Sequence, residues 1–205
     1  MPRDKSENHA KIIKAAFDEF MTYGFNDASM RRIASECGMS ASGLYKHFPS
    51  KEDMFAALVE DAYTGLKEIY YQKLNDQFEE LKGKKTDDIW EGDEETVWAM
   101  KYIYDNYNAF KLLVCRSQGT RYENFIHELA SIDEKSTIEY MKMMKKNGIS
   151  INKISQKEIH LFVSSNLNAI FETVIHDFSR KDALAYAKHL DDYCVAGWKK
   201  LIGLS

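Results

Sequence analysis

The sequence predicts an all-α protein, and three observations support that prediction. Only two prolines and ten glycines interrupt the 205 residues, so few positions force the chain out of a helix. Apolar residues recur at three- and four-residue spacings over long stretches, which is the period of an amphipathic helix. No stretch shows the alternation of apolar and polar residues that is typical of a β-strand. The hydrophobic fraction of 44% provides enough material for a folded core.

The first two helices are short and have clear ends. The first is predicted over residues 7–23 and ends at Gly24, because glycine favours the left-handed conformation that terminates helices. Its apolar stripe consists of Ile13, Ala16, Phe17 and Phe20. Ser29 can accept a backbone N–H bond at the start of a second helix, which stops at Gly38.

The third helix is expected to be very short, and the fourth to be long. Ser40 can cap a helix over residues 40–47, which ends before Pro49 because a proline disfavours the helical conformation in the residue before it. Ser50 and Asp53 then resemble a capping box, with Asp in place of Glu, at the start of a helix that extends to about residue 80.

Beyond the fourth helix the sequence predicts a charged loop and then helices to the end of the chain. The loop covers residues 82–92, KGKKTDDIWEG. The helices that follow are predicted at about 93–107, 109–117, 123–146, 155–178 and 182–202. The sequence therefore divides into three short helices at residues 1–50 and a larger helical body at residues 51–205.

Charge, cysteines and hydropathy limit the classes of protein that remain. The net charge is −4, but residues 1–51 hold eight basic against six acidic side chains, so only this end suits an anionic partner. The three cysteines are far apart and have no metal-binding spacing, which indicates reduced thiols in a cytoplasm. No apolar run is long enough to cross a membrane, and the N-terminus has no secretory signal. We expect a cytoplasmic protein without a metal or other cofactor.

The second and third helices have the spacing of a helix-turn-helix, which is carried by Ala34, Gly38, Met39 and Leu44. Ala34 is small enough for two helices to cross closely, and Gly38 permits the turn. Met39 and Leu44 then anchor the third helix from beneath. A helix of this motif lies in the DNA major groove, about 12 Å wide, where small side chains fit its leading face.

The same residues also allow a purely structural interpretation. A short helix of small residues can be a tight corner, Tyr45 can be a half-buried boundary aromatic, and His47 can be a surface histidine. Arg31 and Arg32 can lie on a solvated helix face. The succession of a helix, a glycine turn, a small-residue helix and an aromatic-basic cluster favours DNA recognition.

At this point the chain resembles a known family. The segments AAFDEFMTYGF, SMRRIASECGMS and GLYKHFPSKEDMF, between Ile12 and Phe55, are similar to the DNA-binding domain of TetR-family transcriptional regulators. The resemblance implies a helix-turn-helix domain at residues 1–50, with its recognition helix at about 40–47, and a helical ligand-binding and dimerisation domain at residues 51–205. The order of Ser42 and Gly43 departs from the usual family pattern, in which glycine comes first.

The resemblance also implies roles for particular residues. Ser29 would cap a helix and contact phosphate, and Arg31 would face the groove, where it can contact a guanine edge. Ser40, Ala41, Ser42 and Gly43 would lead the recognition helix. The residues that would hold phosphate are Tyr45, Lys46, His47 and Lys51.

For the helical body the resemblance implies a homodimer and a small-molecule effector. The helices at about 155–178 and 182–202 resemble the two dimerising helices of the family. Aromatic and polar residues of the body suggest a ligand pocket, although a polar residue such as Asn166 within an apolar stripe can equally satisfy a core partner. The candidate ligand residues are Trp98, Tyr102, Tyr107, Arg116, Phe162 and Asn166.

We therefore expect a non-enzymatic regulator, most simply a repressor that binds a palindromic DNA operator as a dimer and is released by an unknown small molecule. A helical enzyme or small-molecule-binding protein without DNA binding is the alternative. It would need a catalytic constellation, and the sequence has no phosphate loop, nucleophile motif or paired carboxylates with a defined spacing. A helical scaffold for protein partners remains open for the C-terminal half.

Overall fold

The computed structural model describes residues 5–81 and 95–204, and within these ranges the chain is all-α. The helices are α1 (Lys5–Asp27), α2 (Met30–Glu36), α3 (Ala41–Tyr45), α4 (Lys51–Leu81), α5 (Glu95–Asp105), α6 (Tyr107–Arg116), α7 (Phe125–Lys146), α8 (Gln156–Ile175) and α9 (Arg180–Ile202). No strand occurs in the described ranges, which confirms the predicted fold class. The predicted loop at 82–92 lies outside them.

Helix ends follow the predicted caps, with small differences in length. Gly24 has φ 73° and interrupts the helical backbone of α1, although the helix is assigned on to Asp27. The hydroxyl of Ser50 accepts the Asp53 N–H at 3.0 Å at the start of α4. α8 begins with a full capping box, in which Ser155 and Glu158 satisfy each other's backbone N–H groups.

The described chain forms two compact units. Unit 1 combines Met1–Thr64 with Asn106–Glu123, and unit 2 combines Gly65–Asp105 with Asn124–Ser205. α4 therefore contributes residues to both units, and α6 belongs to unit 1, where it packs on α1. The functional division that we predict at residue 50 is a different boundary and stays a prediction.

Unit 1 is built around aromatic residues of α1 and α4. Phe20 and Phe55 are both fully buried, and their ring centroids lie 5.1 Å apart in an edge-to-face arrangement. The buried face of α1 is rotated slightly from the predicted stripe, because Ile12 is buried whereas Ile13 and Phe17 are only half-buried. Helices of a compact unit bury the face that their neighbours cover, and periodicity alone does not fix that face to within one residue.

Unit 2 has its own apolar core and contains a cavity. Buried residues of α7, α8 and α9 pack together in this core, namely Ala130, Met141, Met144, Ile159, Val163 and Ile202. Asn152, in the segment between α7 and α8, donates its backbone N–H to the Ile202 carbonyl at 2.8 Å. This bond holds the C-terminal end of α9 to that segment. None of the described helices is long and apolar enough to span a membrane.

Candidate functional site

The corner between α2 and α3 in unit 1 has the geometry of a helix-turn-helix. Gly38 adopts φ 66°, and the Met39 N–H returns to the Ala34 carbonyl at 2.9 Å. Ala34 is 1% exposed, so its methyl group is buried within unit 1. The positive φ explains why a glycine occupies this corner, because residues with a Cβ are strained there.

The third helix is shorter than predicted, but its cap and its anchor are as expected. α3 has five residues, and the Ser40 hydroxyl accepts the Gly43 N–H at 3.1 Å. Leu44 is fully buried and holds the helix to unit 1. Lys46 closes the helix at its C-cap, so it and His47 follow the helix instead of belonging to it.

The outer face of this corner presents polar and basic side chains to solvent. Tyr45 is 46% exposed, and Ser42, Lys46 and His47 are also exposed. The exposed Ser40 hydroxyl lies 3.1 Å from the Ser42 hydroxyl. Ala41 and Gly43 are half-buried. The structure therefore brings these seven predicted residues together on one short segment.

Two adjacent arginines of α2 have different surroundings. The Arg32 guanidinium contacts the Glu19 carboxylate, with Nε 2.8 Å from Oε1, and donates to the Asp27 carbonyl at 2.8 Å. It also lies over the Tyr23 ring, 4.2 Å from the centroid. Arg31 is exposed and makes no hydrogen bond or ion pair with the described residues. Arg31 is thus the arginine that remains available to an external anion.

Ser29 and Lys51 have internal partners as well as their predicted roles. The Ser29 hydroxyl accepts the Arg32 N–H at 3.4 Å, which confirms it as a helix cap. The Lys51 ammonium donates to the carbonyls of Asn26 at 2.8 Å and Ala28 at 3.2 Å, and lies over the Phe25 ring. These contacts hold the end of α1 and the segment that follows it to the start of α4.

Sequence reasoning missed Glu19, which organises this unit from within. The residue is 8% exposed, and its carboxylate accepts both the Ser29 backbone N–H at 2.7 Å and the Arg32 guanidinium. A buried carboxylate with several donors is stable because each donor replaces a lost water. The available sequence signal was its place next to Phe20 on the apolar face of α1.

Unit 2 contains a cavity of about 210 Å³. Residues of α4, α5, α7, α8 and α9 line it, and aromatic rings form much of its wall. The aromatic lining residues are Tyr70, Trp98, Tyr140, Phe171 and Trp198. At roughly 10–15 Å³ for each enclosed water, this volume suits an organic molecule better than a few waters.

The cavity includes two of the six residues that we predicted for a ligand site, Trp98 and Asn166. Tyr102 instead packs against α4, where an added Cβ at Gly65 would overlap its hydroxyl. Phe162 is 44% exposed on the outside of α8 and contacts Trp198 edge to face.

The other two candidates belong to unit 1. Tyr107 begins α6, and Arg116 ends it, with its Nε donating to the Met21 carbonyl at 2.7 Å. The structure therefore does not bring these residues to the cavity. Helical periodicity placed the aromatic residues on helices, but it could not tell which helices share a unit.

Polar groups on the cavity wall are unevenly satisfied. Burial raises the pKa of Asp133 to about 6. The Tyr70 hydroxyl donates a hydrogen bond to the carboxylate, which lowers this pKa but does not cancel the effect of burial. Asp191 accepts the Thr96 backbone N–H at 3.0 Å. The buried Trp98 Nε1–H has no hydrogen-bond partner among the described residues. Burial also raises the pKa of the Cys194 thiol to about 11, so the thiol stays protonated.

Comparison with known proteins supports the family resemblance. Residues 12–58 match the family described as "Bacterial regulatory proteins, tetR family". The chain is also similar to YerO of Bacillus subtilis (strain 168), an uncharacterized HTH-type transcriptional regulator, with 26% identity over 82% of this chain. That match spans 65% of the length of YerO.

Two crystal structures share the fold. FadR, a transcriptional regulator from Bacillus subtilis in complex with stearoyl-CoA, has a TM-score of 0.52 and 15% identity, covering 92% of this chain and 98% of that chain. NalD, the secondary repressor of the MexAB-OprM multidrug efflux pump in Pseudomonas aeruginosa, has a TM-score of 0.57 and 15% identity, covering 95% and 97%. At these identities the likeness concerns the fold alone.

The predicted resemblance is thereby confirmed on three grounds: the match to the N-terminal domain, a relative named as a transcriptional regulator, and a shared all-α fold. Residues 12–58 of this chain therefore match the tetR family of bacterial regulatory proteins.

Proposed function

We propose that the protein is a transcriptional regulator that binds double-stranded DNA through the outer face of α3 and the residues beside it. The observation that carries the proposal is the corner between α2 and α3, where Leu44 is buried while Tyr45, Lys46 and His47 are exposed. A helix that is anchored from beneath and polar on its outer face suits insertion into the major groove. Relatives named as transcriptional regulators support a non-enzymatic role.

Within this proposal the exposed residues divide between phosphate and base contacts. Tyr45, Lys46 and His47 offer a hydroxyl, an ammonium and an imidazole at the rim of the groove, where phosphate oxygens lie. Arg31 has no internal partner among the described residues, and its guanidinium can bind a guanine edge in a bidentate manner. Lys51 keeps one N–H for phosphate beside its two carbonyl bonds.

A double variant tests the phosphate contacts. We expect Tyr45→Ala combined with Lys46→Ala to weaken binding to every DNA sequence and to lower the slope of log affinity against log salt by about one. Fluorescence anisotropy with the DNA upstream of the protein's own gene, at two salt concentrations, measures both. The matched control is Tyr71→Ala with Lys101→Ala, an exposed tyrosine and an exposed lysine of unit 2. Unchanged binding by the first pair would refute the assignment.

The proposal includes a homodimer through α8 and α9. Of the eight large hydrophobic side chains exposed in the described ranges, five lie on these helices or in the turn between them. They are Leu161, Phe162, Ile175, Phe178 and Tyr193. Exposed apolar groups concentrated in one region of the chain indicate a contact surface. A twofold dimer would present two α3 helices to a palindromic operator, with half-sites about one helical turn apart or a multiple of it.

Sedimentation velocity tests the dimer. Leu161 and Tyr193 are 67% and 75% exposed, so glutamate at both positions should leave each protomer folded but separate. We expect a monomer that binds DNA poorly, whereas Tyr71→Glu should remain dimeric. A double variant that stays dimeric would place the interface elsewhere.

The cavity of unit 2 is proposed as the effector site, and repression relieved by a small molecule as the regulatory outcome. An effector that binds one arrangement of the dimer better must weaken DNA binding by the same coupling factor. The similar folds of FadR, in complex with stearoyl-CoA, and of the repressor NalD support a ligand-responsive repressor. If saturating ligands that occupy the cavity never change DNA affinity, the effector part is refuted and the DNA-binding part stands.

A further inference from the structure

The wall of the unit 2 cavity combines aromatic rings with carboxylates. Five of its lining residues are aromatic, and Tyr70, Trp98 and Trp198 are among them. Asp133 and Asp191 bring two carboxylates to the same wall, against a single lining lysine, Lys73. Aromatic faces carry a negative quadrupole, so the rings and the acids favour the same sign of ligand charge.

Asp133 is an acid on the cavity wall that has few partners among the described residues. It makes no ion pair with the described residues, and its hydrogen-bond partner is the Tyr70 hydroxyl. A hydroxyl donates only one hydrogen bond, whereas an ionised carboxylate has room for about four. Burial without a counter-charge raises the pKa of this carboxyl to about 6. A cation beside this carboxylate would supply the counter-charge that the described residues do not.

We propose that the cavity binds an organic cation, with an apolar body against the aromatic wall and a protonated or quaternary nitrogen at Asp133. The inference deepens the proposed effector site and rests on it. The buried apolar contacts would supply most of the affinity, and the carboxylate would set the preference for charge. An anionic ligand would instead have to approach two carboxylates in a site of low dielectric constant.

Three probes of one shape test the preference. At pH 7, 4-phenylbutylamine is a cation, 4-phenylbutan-1-ol is neutral and 4-phenylbutyrate is an anion, while all share the same phenyl ring and carbon chain. Isothermal titration calorimetry of the full chain should give about tenfold tighter binding for the amine than for the alcohol, because only the ammonium forms a charge-assisted hydrogen bond with the carboxylate. The carboxylate should bind most weakly.

A substitution identifies the residue responsible. Asp133→Asn keeps the size of the side chain and removes its charge, so the amine should lose about tenfold in affinity while the alcohol changes less than about twofold. Asp76→Asn, at an exposed position of α4 that does not line the cavity, is the matched control and should leave all three affinities unchanged. The three-probe series on the unaltered chain gives a result even if the Asp133 variant misfolds.

The outcomes separate this inference from the proposed function. Equal binding of the three probes, a preference for the carboxylate, or no binding at all would overturn the cation site, and so would an unchanged preference in Asp133→Asn. DNA binding by the same preparation is measured in parallel. A protein that binds DNA but shows no amine preference keeps the proposed function and loses the inference. One that prefers the amine but binds no DNA keeps the cation site and loses the function.

Discussion

Two acidic side chains, one in each unit, are withdrawn from solvent but have different partners. Glu19 in unit 1 is 8% exposed and receives hydrogen bonds from the Ser29 N–H and the Arg32 guanidinium. Asp133 on the cavity wall of unit 2 has the Tyr70 hydroxyl and no ion pair within the described ranges. The first carboxylate is satisfied by the fold and the second is not.

The difference separates structural groups from candidate ligand-binding groups. A carboxylate with several donors has its lost hydration replaced, so it contributes to the fold. A carboxylate that a cavity holds with one donor costs stability, and such a cost is typical of binding sites, where the missing partner is the ligand. The same criterion separates Arg32 from Arg31. Substitutions at Glu19, Arg31, Asp133 and Ser40 test this criterion.

Glu19→Ala should have the largest effect on stability. The substitution removes the carboxylate that accepts the Ser29 N–H and the Arg32 Nε–H, and the Arg32 guanidinium keeps only its hydrogen bond to the Asp27 carbonyl among the described residues. Loss of one partner of a buried pair costs about 3–5 kcal/mol, and we expect about 3 kcal/mol because Arg32 keeps a half-exposed side chain. Urea unfolding followed by circular dichroism measures the change.

Asp18→Ala is the control for Glu19→Ala, because it breaks the exposed Lys14–Asp18 pair on the same helix. Exposed pairs contribute about 0–1 kcal/mol, so the control should be near wild type. A loss of less than about 1 kcal/mol for Glu19→Ala would show that the carboxylate is not the organising group of unit 1.

The sequence predicted the corner around Arg31 and Arg32 better than it predicted Glu19. Ser29, Gly38 and Ser40 act within three or four residues of their own positions, so local spacing is enough to identify caps and turns. Glu19 acts on residues ten and thirteen positions away, through a tertiary contact that no local pattern contains. Caps and turns can therefore be predicted from a single sequence, whereas hydrogen bonds between residues far apart in the chain cannot.

Arg31→Ala should have the next largest effect, on DNA affinity and not on stability. Its guanidinium has no internal partner within the described part of the chain, so its removal leaves nothing unsatisfied there. A lost bidentate contact to guanine costs about 1–3 kcal/mol, and we expect about 2 kcal/mol in fluorescence anisotropy. Arg32→Ala, its neighbour, should reverse the pattern and lower the free energy of unfolding. Equal effects of the two substitutions on DNA affinity would remove the distinction.

The cavity could be predicted only in part. Trp98 and Asn166 line it as expected, but Asp133 was not singled out. The lining residues extend from Leu66 to Ile202, so the wall exists only once five helices have packed. Nothing in the sequence spacing of an acidic residue on an amphipathic helix tells whether a neighbouring helix will cover it.

Asp133→Asn should stabilise the folded protein above the pKa of the carboxyl and not below it. Burial raises that pKa from 3.8 to about 6, so the folded state keeps the proton up to a higher pH than the unfolded state does. Stability from this group is therefore present below pH 4 and is lost as the pH rises through about 6. At pH 8 we expect the variant to be about 1–2 kcal/mol more stable, a value reduced from the full shift because the residue is only half-buried.

Urea unfolding at pH 8 and at pH 4 measures this difference, and the gain should disappear at pH 4. Asp76→Asn, on the exposed face of α4, should change stability little at either pH. A destabilised Asp133 variant at pH 8 would mean that the carboxylate has a partner that the fold requires, and the contrast with Glu19 would fail.

Ser40→Ala should have the smallest effect, and it tests whether the criterion holds for a residue that serves both the fold and the proposed contact. Its hydroxyl accepts the Gly43 N–H at 3.1 Å and lies 3.1 Å from the Ser42 hydroxyl, so it is satisfied internally. Loss of a serine N-cap costs about 1 kcal/mol, and urea unfolding should show that loss, whereas Ser35→Ala within α2 should be near neutral. DNA affinity should then fall only as far as α3 frays, which means less than for Arg31→Ala at every salt concentration. A larger loss of affinity with unchanged stability would show that an internally satisfied hydroxyl can still be a direct DNA contact.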